Sequence, residues 1–384
     1  MKKALMVASV ASMIDQFNMG NIAILEQLGY RVEVAANFTQ GSNTSNQRVA
    51  EFQEELAAAG REYHQVDIPR SVFKVGSILQ ALGQLKALCR EGQYDLIHCH
   101  SPIGGVVARL AARKSRKTGT KVIYTAHGFH FFKGASLKNW LLFYPMERLC
   151  ARFTDLLITI NREDYDLAKQ KMKAARVVYV PGIGVNTAAF AEETADLTEL
   201  REELGLKQED KIVLSVGELS RRKNHKVVLE AVARIPIPQI HYLICGIGPE
   251  EEKLRRLAKD LGMEDRLHLL GFRRDIPKLL AIADVYAFPS LQEGLPVALM
   301  EAMAAGKAVV CSGIRGNRDL IEPGIGGEVL ETTHVDGFAF AMNRLLTDPA
   351  LMEKMGQNNR LRIREFDRSV VDAQMKTLYQ EISQ

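Results

Sequence analysis

Two glutamates eight residues apart, Glu293 and Glu301, lie in the run SLQEGLPVALMEAMAAG at residues 290–306. Pro296 suits the first turn of a helix, where its missing N–H costs nothing, and Gly306 suits the stop. Glu293, Gly294 and Leu295 then form a loop between a strand's carboxyl end and a helix's amino end. Free backbone N–H groups at such a place make a seat for phosphate. Glu293 reads either as a ligand-facing carboxylate or as a complement to the helix dipole. Glu301 reads either as an exposed helix residue or as a carboxylate enclosed by Leu299, Met300, Ala302 and Met303. Enclosed, it requires a hydroxyl or cation partner, and a ribose diol would serve.

A second constellation is VGELSRRKNH at residues 216–225. Gly217 permits close backbone approach to a ligand. Arg221, Arg222 and Lys223 have the charge to neutralise a diphosphate; the alternative is a solvated basic cluster. Gly246 and Gly248 frame a tight turn, a weak signal alone. Phe272, after Gly271, reads as one wall of a base pocket or as core. His127 follows an apolar run and reads as a hydrogen-bonding partner for a sugar hydroxyl or as a satisfied core histidine. His98 and His100 flank Cys99, but no third ligand has metal-site spacing, so no metal is expected.

These residues need a frame of strands and helices. Apolar runs of strand length recur at 4–10, 31–36, 96–99, 121–125, 156–160 and 177–180, with helical patterns between them. The rhythm restarts at 211–216, 240–245, 266–269, 285–288, 308–311 and 327–329. Continuously apolar strands are those of parallel sheets covered on both faces, and alternating β and α elements imply doubly wound sheets. The expected fold is α/β, with two Rossmann-like domains facing across a cleft. The boundary falls in PGIGVN at 181–186, giving domains 1–184 and 185–367, with a C-terminal helix at 368–384 packing back on the first.

The chain of 384 residues is 47% hydrophobic and 25% charged, ordinary for a globular protein. Its net charge of +4 is too small to imply a nucleic-acid binder. Residues 70–152, however, hold fourteen bases against three acids, a field that attracts anionic partners unless acids elsewhere in the fold offset it. Five cysteines without paired spacing fit reduced thiols in a cytosolic protein. The start, MKKALMVASVAS, imitates a signal peptide but reads as a first buried strand. No apolar run is long enough to span a membrane.

Together these segments resemble glycosyltransferase family 4, retaining enzymes of the GT-B fold. Glu293 and Glu301 match its E-x7-E motif, VGELSRRKN matches VGRLxxxKG with Lys223 on the phosphate-binding lysine, and GIGP at 246–249 and Gly271-Phe272 also match. The resemblance implies that Lys223 binds the donor diphosphate, Glu301 the ribose hydroxyls, and Glu293 and His127 the donor sugar. The catalytic set is thus Glu293, His127 and Lys223. The donor site adds Gly217, Arg221, Arg222, Gly246, Phe272, Gly294, Leu295, Pro296 and Glu301; Phe17, His100, Gly128 and Asn161 form the acceptor side. Two departures stand out. Glu218 occupies the place of a phosphate-binding arginine, which puts Arg221 or Arg222 in that role or turns the glutamate away. The N-terminal loop, SVASMIDQF at 9–17, lacks the common glycine pair.

HCHSP, TAHGFHFFKGA and ERLCARFTDLLITINREDY resemble a bacterial capsular and exopolysaccharide subgroup. That implies a UDP-sugar donor, no cofactor, and a polyprenyl-diphosphate-linked sugar acceptor at the cytoplasmic face of the membrane. The basic stretch agrees, and the aromatic segment 129–144 suits an anionic membrane interface, or else a core helix with its loop. Three rivals remain: a UDP-sugar epimerase of the same fold, opposed by the paired glutamates; a non-catalytic nucleotide-sugar scaffold, favoured by Glu218; and a dehydrogenase, opposed by the lack of G-x-G-x-x-G after a first strand.

Overall fold

The strands form where apolar residues run without alternation. In the computed structural model Ala4 to Ala8 are all inaccessible to solvent, as a strand covered on both faces requires. The structure describes residues 1–42, 44–190 and 197–384. The chain divides into two units, Met1–Ile183 with Ser369–Gln384, and Gly184–Arg368.

The first unit carries β1 (Lys2–Val10), β2 (Tyr30–Asn37), β3 (Tyr63–Gln65), β4 (Leu96–His100), β5 (Lys121–Ala126), β6 (Leu156–Thr159) and β7 (Arg176–Tyr179). All seven are parallel, in the order β3-β2-β1-β4-β5-β6-β7. Its helices are α1 (Ala11–Phe17), α2 (Met19–Gln27), α3 (Asn46–Ala58), α4 (Val75–Gly92), α5 (Pro102–Ala111), α6 (Leu137–Ala151) and α7 (Arg162–Lys171). One core joins β1 and β2 to α2 and α3, and a second joins the sheet to α4 and α5.

The second unit holds β8 (Lys211–Val216), β9 (Ile240–Cys245), β10 (Leu267–Leu269), β11 (Val285–Phe288), β12 (Ala308–Ser312) and β13 (Gly327–Leu330). Its order, β10-β9-β8-β11-β12-β13, repeats that of the first six strands of the other sheet. Its helices are α8 (Thr198–Glu203), α9 (His225–Val232), α10 (Glu251–Asp260), α11 (Ile276–Ile282), α12 (Val297–Ala304), α13 (Asn317–Leu320), α14 (Val335–Thr347) and α15 (Pro349–Arg362). The last helix, α16 (Arg368–Ile382), belongs to the first unit from Ser369 on. It buries Val371, Met375, Leu378 and Tyr379 in the core of β1 and β2.

Strand order reverses between β1 and β4, and between β8 and β11. Ligands of open α/β sheets bind beyond the carboxyl ends of strands at such switch points.

One expectation is corrected here. The segment 9–17 is not a loop, because Ala11–Phe17 is helical with Ala11, Ser12 and Ile14 buried. Within the aromatic segment, Phe129 and Phe131 are core residues, stacked at 4.7 Å, with Trp140 and Tyr144 against Phe131.

Candidate functional site

In the second unit, both switch strands run into loops that carry the candidate residues: β8 into 217–224 and β11 into 289–296. The Leu291 N–H donates to the Arg222 carbonyl at 2.8 Å, tying the loops together. Asn224 turns the chain into α9 at φ +57, a left-handed conformation that asparagine tolerates better than most residues. Its amide donates to the carbonyls of Pro289 and Thr332.

Charge gathers at Glu293. Its Oε1 lies 2.8 Å from Lys223 Nζ and 2.8 Å from an Arg222 guanidinium nitrogen. Arg222 also donates to the Gln292 carbonyl at 3.0 Å. The Lys223 ammonium sits 4.7 Å from the Phe288 ring centroid. Burial pulls its pKa down, while Glu293 opposes that shift. Buried Arg315 donates from Nε to the Glu293 carbonyl at 3.2 Å. Two cations on one carboxylate leave a positive surplus of the kind a diphosphate neutralises. Arg315 is absent from the sequence expectations. Its signal is faint, an arginine in the turn GIRGN after β12.

Glu301 is half-buried on α12, which removes the reading of an exposed helix residue. It has no hydrogen-bond or ionic partner among the described residues, and burial raises its pKa to about 7. Ser220 Oγ in the loop after β8, Ser290 Oγ in the loop after β11 and Asn317 Oδ1 at the start of α13 are buried and also lack partners. Folded proteins seldom leave such atoms unsatisfied. A polyhydroxylated ligand would use them.

Pro296 is extended, at φ −80° and ψ 117°, and precedes the helix. It therefore stands at the cap, not in the first turn as expected. It offers no side-chain acceptor to the α12 N–H groups, which stay available to an anion. Leu295 is buried and Gly294 half-buried behind them. The glycines answer to backbone crossing. A Cβ on Gly246 would stand 1.9 Å from the Gly217 carbonyl oxygen, and one on Gly248 2.4 Å from that of Leu219. A Cβ on Gly217 would press the Lys223 side chain at 3.1 Å. Phe272 is 71% exposed, so the core reading is wrong for it. Arg221 and Glu218 are exposed; the cation tied into the site is Arg222.

In the first unit, His100 ends β4 and His127 follows β5. Their rings meet, His100 Nδ1 to His127 Nε2, at 3.1 Å. His98 bonds the Tyr379 hydroxyl of α16 at 2.7 Å and the Thr125 hydroxyl at 2.8 Å. His98 and His100, two residues apart on β4, share a face of the sheet, and the neighbouring β5 brings His127 to them. Both ring nitrogens of His98 and of His100 already have protein partners. Among the described residues, Glu33, Glu62 and His64 do have metal-like proximity. Tyr94, Lys3 and His64 already bind Glu33 and hold its pKa at about 2, against desolvation that raises it.

His100 fixes the state of His127. Its Nε2 lies 3.2 Å from Met6 Sδ, and a thioether accepts but cannot donate. The His100 proton therefore sits on Nε2, and Nδ1 accepts from His127 Nε2–H. That leaves His127 Nδ1 bare, an acceptor. Burial lowers the His127 pKa to about 4, so the ring is neutral. Phe17, His100 and His127 line a cavity of about 20 Å³, room for roughly one water. Gly128 turns the chain at φ +124. Asn161 is fully buried and caps α7, its amide bonded to Asp164 at both ends.

Two doubly wound units with charged and polar loops at their switch points make up the architecture of the GT-B glycosyltransferases. Residues 17–182 match the glycosyl transferase 4-like domain, and residues 196–362 match the glycosyl transferases group 1. The chain belongs to glycosyltransferase family 4 and is a glycosyltransferase. It is 36% identical over 382 residues to EpsD of Bacillus subtilis (strain 168), named as a glycosyltransferase, covering 98% of this chain and 96% of that one. It is 31% identical over 293 residues, 74% of each chain, to the Escherichia coli UDP-Gal:alpha-D-GlcNAc-diphosphoundecaprenol alpha-1,3-galactosyltransferase. The crystal structure of Anabaena HepE with UDP-glucose superposes with a TM-score of 0.79 at 22% identity, covering 99% of this chain and 100% of that one. This likeness establishes the fold.

Proposed function

We propose that this glycosyltransferase moves a hexosyl or N-acetylhexosaminyl group from a UDP-sugar, with retention of configuration, to a polyprenyl-diphosphate-linked saccharide. The reaction belongs to bacterial surface polysaccharide synthesis at the cytoplasmic face of the membrane. The observation that carries the reading is the convergence of Lys223, Arg222 and Arg315 on Glu293, in the loop that leads into the uncapped α12, which carries the unpartnered Glu301. Lys223 and Arg222 bind the diphosphate, with Arg221 and the α12 N–H groups beside them. Glu301 accepts from the ribose hydroxyls. Gly217, Gly246 and the backbone at Phe272 border the nucleotide. Glu293 and His127 contact the donor sugar, His127 through its bare Nδ1. The acceptor is assigned to the first unit, with Phe17, His100 and Gly128 nearest the His127 loop. Asn161 shapes that region through its cap.

The acceptor hydroxyl oxygen bonds the anomeric carbon on the face from which the bond to UDP breaks. Its proton passes to the departing β-phosphate oxygen, and UDP leaves. Catalysis is then charge stabilisation at the diphosphate, supplied by protein cations without a metal. A covalent route through Glu293 is disfavoured, since its Oε1 is neutralised by two cations. The E. coli relative's name supports a lipid-linked acceptor, and UDP and UDP-glucose in the HepE structures support the donor class.

Binding and slow hydrolysis of UDP-, GDP- and ADP-sugars test the reading. One UDP-sugar should bind and be hydrolysed, and Glu301→Ala and Lys223→Ala should lose both. If a nucleotide sugar binds and none is hydrolysed, the scaffold reading replaces this one; if none binds, the donor site assigned here is wrong.

A further inference from the structure

The loop 217–224 ends on a histidine that the function argued above does not use. His225 is the first residue of α9, and only 4% of it is accessible to solvent. A chain of hydrogen bonds leads away from its ring. His225 Nδ1 meets the Tyr242 hydroxyl at 3.2 Å, and that hydroxyl meets Ser215 Oγ at 2.9 Å. Ser215 in turn donates to the Ala287 carbonyl at 2.6 Å. The carbonyl fixes every proton in the chain, because it only accepts. Ser215 gives its one proton to Ala287, so it accepts from Tyr242. Tyr242 gives its proton to Ser215, so it accepts from His225. The neutral imidazole therefore carries its proton on Nδ1, and its Nε2 is bare.

Nε2 is buried and has no hydrogen-bond partner among the described residues. The carbonyls of Glu218 and Gly217 stand close to the ring and favour its charged form. Oxygen lone pairs beside a bare nitrogen leave both sides without a donor, and a proton on Nε2 would supply one. Burial and the Lys223 ammonium oppose that proton and hold the pKa at about 4. The other charges around the ring are occupied or remote. Lys226 pairs with Glu230 on α9 itself. Asp336 of α14 is bonded to Arg234, and Glu250, ahead of α10, to Lys253. The Glu218 carboxylate is exposed, and burial pushes the Tyr242 hydroxyl far up, so it stays neutral. Lys223 is therefore the charge that counts, and a diphosphate seated on Lys223 offsets it.

We propose that His225 is a positioning residue of the donor site, which takes up one proton when the diphosphate binds. The proton comes from solvent and bonds the lone pair of Nε2. Nε2–H then donates to a carbonyl of the Gly217–Glu218 turn and fixes the backbone beside the diphosphate. Nδ1–H keeps its bond to Tyr242 throughout, and the ring touches no substrate. The imidazolium adds a positive charge behind Lys223 for as long as the diphosphate is present. When UDP leaves, its negative charge goes with it and the proton returns to solvent. The proposal rests on the donor site argued above, and its test separates the two.

Calorimetry of UDP binding to the full chain, at about pH 7 in buffers of different ionisation enthalpy, counts the protons taken up. His225→Gln keeps a neutral polar side chain that cannot titrate. The wild type should take up about one-half to one proton more per UDP than this variant. Taking the difference cancels the ionisation of the UDP phosphate itself. Tyr242→Phe is the second variant. Without the hydroxyl, the neutral ring is free to carry its one proton on Nε2, and the extra uptake should vanish although His225 is present. A role confined to packing moves neither count. A third readout needs no variant and holds if His225→Gln fails to fold. With nitrogen-15 labelled histidine, UDP should give one of the nine imidazoles of the wild type a second N–H. A wild type that binds UDP with the same proton count as His225→Gln, or with no imidazole gaining a proton, overturns the proposal and leaves the donor site standing. A wild type that binds no UDP overturns both.

Discussion

Glu301 shows how one side chain couples ligand affinity to stability. Its folded pKa of about 7 lies above the ordinary 4.5 because burial disfavours the charge. Between those values the folded chain holds a proton that the unfolded chain has lost, so stability falls as pH rises through the window. Above it a cost remains, at most ~3 kcal/mol before screening by the solvent that reaches this half-exposed group. Glu301→Gln removes the charge. Thermal unfolding should show this variant more stable than wild type at roughly pH 8 and equal to it near the lower end of the window. The same variant should bind UDP about tenfold more weakly or worse, because a charged acceptor for the ribose hydroxyls is gone. Equal stability at high pH would mean that Glu301 has a partner after all. His127 makes the complementary case, where a neighbour sets what a side chain can do. Met6→Leu conserves volume and costs under about 1.5 kcal/mol, but deletes the acceptor that orders the His100 proton. The expected outcome is a donor-sugar KM raised about threefold to tenfold with UDP binding unchanged. An unchanged KM would separate His127 from the sugar.

Elements differ in how plainly their residues announce them. Strands β8, β9 and β11 occupy the residues expected from their apolar runs, since a strand buried on both faces has little choice of composition. Strand β3 is only Tyr63, His64 and Gln65 at the sheet edge, with no apolar residue facing a core, and no pattern marks it. Helix α15 goes unread because Gly356 and two asparagines interrupt its pattern. That glycine is demanded by packing, for its Cβ would stand 1.9 Å from the Gly306 carbonyl oxygen. The site divides in the same way. Glu293, Glu301 and Lys223 are legible because strand-end loops and helix starts leave local marks. Arg315 is not, because only the pairing of β12 with β11 in the folded sheet brings its turn beside Glu293, and the meeting of His127 with His100 depends likewise on β5 pairing with β4. Between elements, buried charge is the point of weakness. Arg109 on α5 is inaccessible to solvent, with its guanidinium 3.8 Å from the Tyr124 ring centroid, and Glu147 on α6 is its counter-ion. Glu147→Ala strands that cation and should cost about 3–5 kcal/mol in chemical denaturation. A loss below about 1 kcal/mol would mean that water reaches Arg109 in the variant.

The whole molecule is asymmetric in a way that its matching sheets conceal. The second unit is one continuous stretch, Gly184–Arg368, while the first is closed by a segment from the far end of the chain. Every residue assigned to the nucleotide, Lys223, Arg222, Glu293, Glu301 and Arg315 among them, lies in the continuous unit, around its own switch strands β8 and β11. That unit has its own core of β8, β9, β11 and β12 against α9, α10 and α14, and is large enough to fold alone. A fragment of residues 184–368 should therefore fold and bind UDP within about tenfold of the full chain, yet hydrolyse no UDP-sugar, because His127 is missing. Residues 1–183 should fail where 184–368 succeed. Without α16 the core of β1 and β2 loses Val371, Met375, Leu378 and Tyr379, and buried His98 loses the hydroxyl it bonds at 2.7 Å. Circular dichroism and UDP calorimetry on the two fragments check this. A folded 184–368 that does not bind UDP would place part of the nucleotide site in the first unit and reassign the roles argued for Arg222 and Arg315.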